Sequence, residues 1–271
     1  ELLHLLRELV AVAAAQRGIR SVLGRHYSLL ARQVAERSAE TGAHYITRTR
    51  AEYVDMLRKA AGGGAVIAGT TFAKFAIAAL GLTAFWQGFF AGANYAVSFV
   101  IVMLLHWTVA TKQPAMTAPA MAAALPRGRA PDDAAIQGFV DQVAQLIRSQ
   151  MAGIVGNLLM CGPLVLLVQV LAQLLLGQPL VGTQDAAYVL KSMTLLGPTA
   201  LFAAFTGVLL FASSLVAGWA ENWFVFHRLD SAIAWNPRIV ARLGAARAQR
   251  WAAWARANVS GLAANTSLGL M

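Results

Sequence analysis

The chain of 271 residues carries 22 Lys and Arg against 12 Asp and Glu, a formal net charge of +10, yet only 13% of its residues are charged and 58% are hydrophobic. Soluble domains average about 25% charged residues, so this composition excludes an ordinary soluble domain and selects an all-α, polytopic membrane protein. Its basic balance is read first as positive loops on the cytoplasmic side of a bilayer, and only second as a nucleic-acid surface. Cys161 is the single cysteine, inside an apolar run, which excludes an intramolecular disulfide and reads as a buried, inert thiol.

Residues 1–61 read as a cytoplasmic amphipathic helical region. Leu2, Leu3, Leu5, Leu6, Leu9, Val10 and Val12 fall near helical spacing with His4, Arg7 and Glu8 between them. A second helical stretch, from about Ser28 to Ala60, has a weak apolar stripe and two opposite-charge pairs at i,i+4, Arg48–Glu52 and Asp55–Lys59. The chain starts at Glu1 with neither an initiator methionine nor a signal-peptide pattern, and stops at Met271 within an apolar run. It therefore reads as part of a longer protein.

Gly62-Gly63-Gly64 is expected to be a hinge. Residues 62–110 follow as a transmembrane hairpin of two spans, about Ala65 to Phe85 and Phe89 to Ala110, with a short turn at Trp86-Gln87-Gly88 and one charge, Lys74, near mid-span. Gly88 and Gly92 form a GxxxG pair suited to close helix approach. Residues 111–150 read as a cytoplasmic connection, first Pro-rich, with PAMTA followed by PAMAA, and then helical from about Asp132 to Gln150. Residues 151–219 supply a second transmembrane pair. The first of these spans contains Asn157, Pro163, Gln169 and Gln173, so lipid is not expected on all of its sides. Residues 220–257 are an Arg-rich cytoplasmic connection, and 258–271 begin a fifth apolar segment.

Residues 1–60, 111–150 and 220–257 hold ten, four and six Lys/Arg, whereas the turn near Trp86 and the loop 177–193 hold none and one. The positive-inside rule then places the first set in the cytoplasm and the chain, as a multi-pass protein, in an inner membrane. Uncommon polar residues collect at that boundary. The candidate binding residues are Lys112, Gln113, Asn157, Glu221, Asn222, His227, Arg228, Asp230, Asn258 and Asn265. On a continuous helix Glu221 and Arg228 share a face, His227 and Asp230 are close enough to touch, and Asn258 and Asn265 line one stripe. Interhelical hydrogen bonding with a belt of Trp219, Trp223 and Trp235 is the structural alternative to a polar cavity.

The patterns GxxxxGK[ST], HExxH and GxSxG are missing, as is a paired-cysteine site. The sequence thus points to no catalytic residue, metal or cofactor. The expected partners are the lipid bilayer, then other membrane or cytoplasmic proteins, then DNA through the arginines.

The segments ATKQPAMTAPAMAAAL, GNLLMCGPLVLL, GPTALFAAFTGVLLFASSLVAGWAENWFVFHRLDSAIAWNPRI and ANVSGLAANTSLGLM resemble the bacterial family of site-specific recombinase transmembrane proteins. The likeness is strong over residues 112–271 and weak before them. It implies a bacterial inner-membrane protein, and its name implies DNA recombination. Of the groups such chemistry uses, the chain offers His4-Leu5-Leu6-Arg7 and Arg25-His26-Tyr27 on short amphipathic helices, without a surrounding catalytic-domain pattern. Three functions remain open at this point. They are a non-enzymatic transporter-like or scaffold module, a membrane-tethered factor in DNA recombination, and a membrane enzyme acting on lipid-linked substrates through Glu221, His227 or Asp230.

Overall fold

Apolar runs that cross a bilayer must satisfy every backbone N–H and C=O internally, which favours helices. The computed structural model describes residues 45–110, 117, 120, 121, 133–194 and 197–271. Among the described residues the regular elements are eight helices: α1 (Arg50–Ala79), α2 (Ala84–Leu104), α3 (Asp133–Leu176), α4 (Thr183–Ser192), α5 (Thr199–Phe226), α6 (Leu229–Trp235), α7 (Pro237–Leu243) and α8 (Ala245–Leu270). Four are long and apolar enough to cross a membrane: α1, α2, the Ile136–Leu176 part of α3, and α5. The all-α membrane class expected from composition is the class observed.

The helices stand in a row. α3 packs on α1, α1 on α2, α2 on α8, and α8 on α5 and α6. α1 and α3 run the same way, because Thr47 meets Ser149 while Ala60 meets Gly156. α2 and α8 run oppositely, because Ala96 meets Gly269 while Met103 meets Gly261. One end of the row therefore gathers the start of α1, the end of α2, the middle of α3, the end of α5 and the start of α8. This end carries most of the described arginines and is called the basic face below. Leu158, Leu166, Leu174 and Leu175 of α3 and Leu201, Phe202 and Phe205 of α5 point away from the protein, onto the sides a bilayer would cover.

Several boundaries differ from the sequence reading. The glycine triad does not hinge; α1 passes through it without a break. Glycine in a helix interior costs about 1 kcal/mol relative to alanine, and here that cost is offset by close approach. A Cβ at Gly62 would enter the Trp107 ring, one at Gly63 the Thr108 carbonyl, and one at Gly64 the backbone of Asn157. The turn expected at Trp86 lies instead at Leu80–Thr83, and Trp86 sits in the first turn of α2, stacked on Phe90 at 5.9 Å. The helix before the third span and the span itself are one 44-residue helix. At 1.5 Å per residue it is about 66 Å long, roughly twice the hydrocarbon thickness.

Polar side chains inside the row link neighbouring helices. Thr70 Oγ1 lies 2.6 Å from Ser98 Oγ, and Asn94 Nδ2 donates to the Thr70 carbonyl at 2.9 Å, joining α1 to α2. Lys74 Nζ stands 5.9 Å from the centre of the Tyr95 ring, a distance at which the ring face attracts a cation. Of the GxxxG pair, Gly92 is in the α2–α8 contact, 3.3 Å from the Gly269 carbonyl for an added Cβ, while Gly88 faces open space. At the far end of α3, Gln169 takes the backbone N–H of Leu180 at 2.9 Å and gives to the Val181 carbonyl at 3.0 Å, folding the following loop back on the helix.

Candidate functional site at the basic face

α2 ends in a pattern set by one left-handed residue. His106 has φ 54, its N–H donates to the Met103 carbonyl at 3.0 Å, and Trp107 N–H donates to the Val102 carbonyl at 2.9 Å. This six-to-one and five-to-two pairing is the Schellman termination. It turns the chain so that Trp107 covers Gly62 and Thr108 N–H reaches the Lys59 carbonyl at 3.1 Å. Asn157, on α3, closes the knot. Its amide donates to the carbonyls of Ala60 and of Thr108, the latter at 3.0 Å, and its Oδ1 accepts from Ala110 N–H at 2.8 Å. A side-chain amide has two donor hydrogens and an acceptor oxygen. Asn157 is buried with both hydrogens and its oxygen engaged.

The segment before α1 docks on the same part of α3. Ser149 Oγ accepts from Thr47 N–H at 2.7 Å, and Arg148 Nη2 donates to the Thr47 carbonyl at 3.1 Å. α1 then starts in a capping box. Thr49 Oγ1 accepts from Glu52 N–H at 3.3 Å, while Glu52 Oε2 accepts from Thr49 N–H at 3.3 Å and from Arg48 N–H at 2.7 Å. Glu52 thus takes the Arg48 backbone, whereas Asp55 and Lys59 form the expected ion pair at 2.6 Å. Burial pushes the Tyr45 phenol above its ordinary range, opposed in part by a hydrogen bond with Thr108 and by the nearby Lys59 charge.

The second cluster lies where α5, α6 and α8 meet. α5 ends at Phe226, and Arg228 has φ 48, a left-handed backbone that few non-glycine residues adopt. The helix expected to carry Glu221 and Arg228 on one face is therefore broken between them. His227 does not turn toward Asp230; its Nδ1 lies 2.8 Å from the Trp223 carbonyl, and its ring packs on Trp223 at 4.7 Å. Asp230 instead meets Arg256 of α8 at 3.1 Å. Asn258 and Asn265 share α8 as expected, each donating to the carbonyl four residues back, Trp254 at 2.9 Å and Gly261 at 2.8 Å. Asn157 is bonded to α1 and residues 108–110, and Asp230 to α8, so the structure divides these candidates between two clusters on the basic face. Glu221 and Asn222 lie in the last turns of α5, adjoining the second cluster. Lys112 and Gln113 lie outside the described residues, as do His4, Arg7 and Arg25 to Tyr27.

The sequence reading did not single out Trp251 and Trp254. Their rings meet edge to face at 5.9 Å, and with Arg247 and Arg250 they line a groove of about 510 Å³ on α8. The spacing 247, 250, 251, 254 is one helical face, a signal that was legible in the sequence. Among the described residues no group of three His, Cys, Asp or Glu is placed to hold a metal ion.

A row of apolar helices joined by internal polar clamps, with arginines and tryptophans at one end, defines a polytopic helical membrane protein. The chain belongs to the family described as Site-specific recombinase, which matches residues 1–271. The likeness carried mainly by residues 112–271 thus extends over the whole chain. No curated protein and no solved structure matches it.

Proposed function

We propose that the chain is a non-enzymatic module of a bacterial inner membrane, a scaffold whose basic face lies in the cytoplasm and presents charge to a partner there. One observation carries this reading. Four polar side chains within the spans, Thr70, Asn94, Ser98 and Asn157, hydrogen-bond to neighbouring helices or the segment that follows one, while Arg238, Arg242, Arg247 and Arg250 are exposed beyond the end of α5. Polar groups in lipid are costly unless paired, and here the pairing is structural. That supports a scaffold over a transporter-like module, which would keep such groups facing a pathway. The distribution of Lys and Arg, twenty on one side against one on the other, supports the orientation.

Arg228→Gly provides the test. Glycine accepts the left-handed backbone without a Cβ penalty, so this variant removes the guanidinium while favouring the fold. The scaffold reading expects Arg228→Gly, combined with Glu221→Gln and His227→Gln, to insert normally and yet fail to complement a deletion strain. Full complementation by the triple variant would remove these residues from the function.

The family's name and the exposed arginines favour one second reading, a membrane-tethered factor in DNA recombination. It expects duplex binding that weakens steeply with salt, because phosphate contacts release counterions. Absence of duplex binding by the detergent-purified chain at low salt would eliminate it.

A further inference from the structure

We infer that α3 docks on the α3 of a further copy of the chain, through the face it turns away from α1, as a parallel helix pair that starts outside the bilayer and continues into it. This rests on the membrane-spanning architecture and goes beyond the scaffold reading, whose charged residues lie elsewhere. α3 stands at the edge of the row, with α1 as its main neighbour. Ser149, Gly156 and Asn157 face α1. On the opposite side Val140, Ala144, Ile147, Met151, Ile154 and Leu158 recur in alternating steps of four and three residues. That is the spacing by which helices of two chains interlock along a shared seam. The next step of three reaches Cys161. No charge stands on this seam; Asp141 and Arg148 flank it.

Depth makes this face an anomaly. Asn157 bonds to the Thr108 carbonyl, beyond the end of α2 at Leu104, so α3 leaves the hydrocarbon near Asn157. At 1.5 Å per residue Ile147 stands about 15 Å further along the helix and Val140 about 26 Å. The headgroup layer is only roughly 5–8 Å thick, and side chains of α3 lean toward its N-terminus, away from the bilayer. Val140 and Ile147 are nevertheless 53% and 59% exposed, with no lipid at that height to cover them. Large apolar side chains aligned in water mark an interaction surface.

The seam also selects its occupant. It passes unbroken from the stalk into the span at Leu158 and Cys161, so a soluble partner would cover only half of it. A second copy is held by its own spans at the same depth and in the same direction. It therefore brings Ile147 against Ile147 and Met151 against Met151 without adjustment. In such a parallel pair the flanking positions opposite Asp141 and Arg148 carry Ile136 and Val143, so no like charges meet.

The single natural thiol makes the test direct, because Cys161→Ser gives a cysteine-free parent. In that full chain Ala144→Cys, Met151→Cys and Gly138→Cys are expressed one at a time in bacterial membranes and oxidised with copper phenanthroline. Gly138 is the control: it is exposed, on the side of α3 away from the seam, and an added Cβ there meets nothing within 4 Å. Covalent dimers are expected from Ala144→Cys and Met151→Cys and not from Gly138→Cys, although a water-soluble maleimide should label all three. Ile147→Lys with Met151→Lys, added to Ala144→Cys, sets like charges against each other across the seam and should abolish the dimer. Gly138→Lys in the same background should leave it. Ile147 and Met151 are exposed in the single chain, so helical circular dichroism is expected to survive their replacement. Absence of dimers from both seam cysteines overturns the interface and leaves the face to another protein. Dimers formed equally from all three positions, or unaffected by the two lysines, also overturn it, because they report random collision. Complementation plays no part in this readout, so the interface and the scaffold reading fail separately.

Discussion

Asn157→Ala separates a structural clamp from a ligand-binding residue. The substitution removes two donors and one acceptor from a site where the asparagine is 8% exposed, and it strands the Thr108 carbonyl and the Ala110 N–H. Three hydrogen bonds at about 1 kcal/mol each come to about 3 kcal/mol. Polar pairs in membrane proteins average about 0.6 kcal/mol in double-mutant cycles, which lowers the bond sum to about 2; the stranded groups add to it. The expected destabilisation is therefore about 2–4 kcal/mol. Asn157→Asp should be no better, since it keeps the acceptor for Ala110 but replaces both donors with an acceptor facing two carbonyls. Asn258→Ala is the control, because its amide bonds only within its own helix, to the Trp254 carbonyl, and it should cost about 0.5 kcal/mol or less. The assay is reversible unfolding in mixed micelles by titration with sodium dodecyl sulfate, followed by tryptophan fluorescence. An Asn157→Ala protein as stable as the parent would refute the clamp. If that stable variant also failed to complement a deletion, Asn157 would be a ligand-binding residue.

Three further outcomes follow from the same geometry. Gly64→Ala and Gly269→Ala place a methyl against the backbone of a neighbouring helix, at Asn157 and at Ala96, where neither side can yield cheaply. Each should cost about 1–3 kcal/mol in the micelle assay, and Gly88→Ala, which meets nothing within 4 Å, should be neutral or slightly stabilising. Tyr45 is held protonated by burial, so its folded pKa lies above its unfolded value near 10. Its contribution is complete below about pH 10 and is lost as pH rises through the folded pKa, because the unfolded chain releases its proton first. Tyr45→Phe should flatten that alkaline fall in a pH series of the unfolding assay, and an unchanged fall would exclude Tyr45 as its source. Asp230→Asn should cost less than about 1 kcal/mol, as befits an exposed ion pair, with the difference shrinking in high salt.

The class of the protein was legible along the chain, because a low charged fraction and apolar runs of bilayer length depend on composition alone. The helix ends and the meaning of the polar residues were not. Gly62-Gly63-Gly64 looks like a hinge in one dimension, since glycine weakens any isolated helix; only Trp107, Thr108 and Asn157 arriving from elsewhere show that it is a packing surface. Asn157 and Asp230 stand out in the sequence as polar groups near the membrane boundary, but whether such a group binds a ligand or a neighbour depends on partners 47 and 26 residues away. The periodicity of Arg247, Arg250, Trp251 and Trp254 was present in the sequence throughout. Its depth relative to the end of α2 came only from the antiparallel contact of α8 with α2, because helical spacing reports which side chains share a face and not where that face stands in the bilayer.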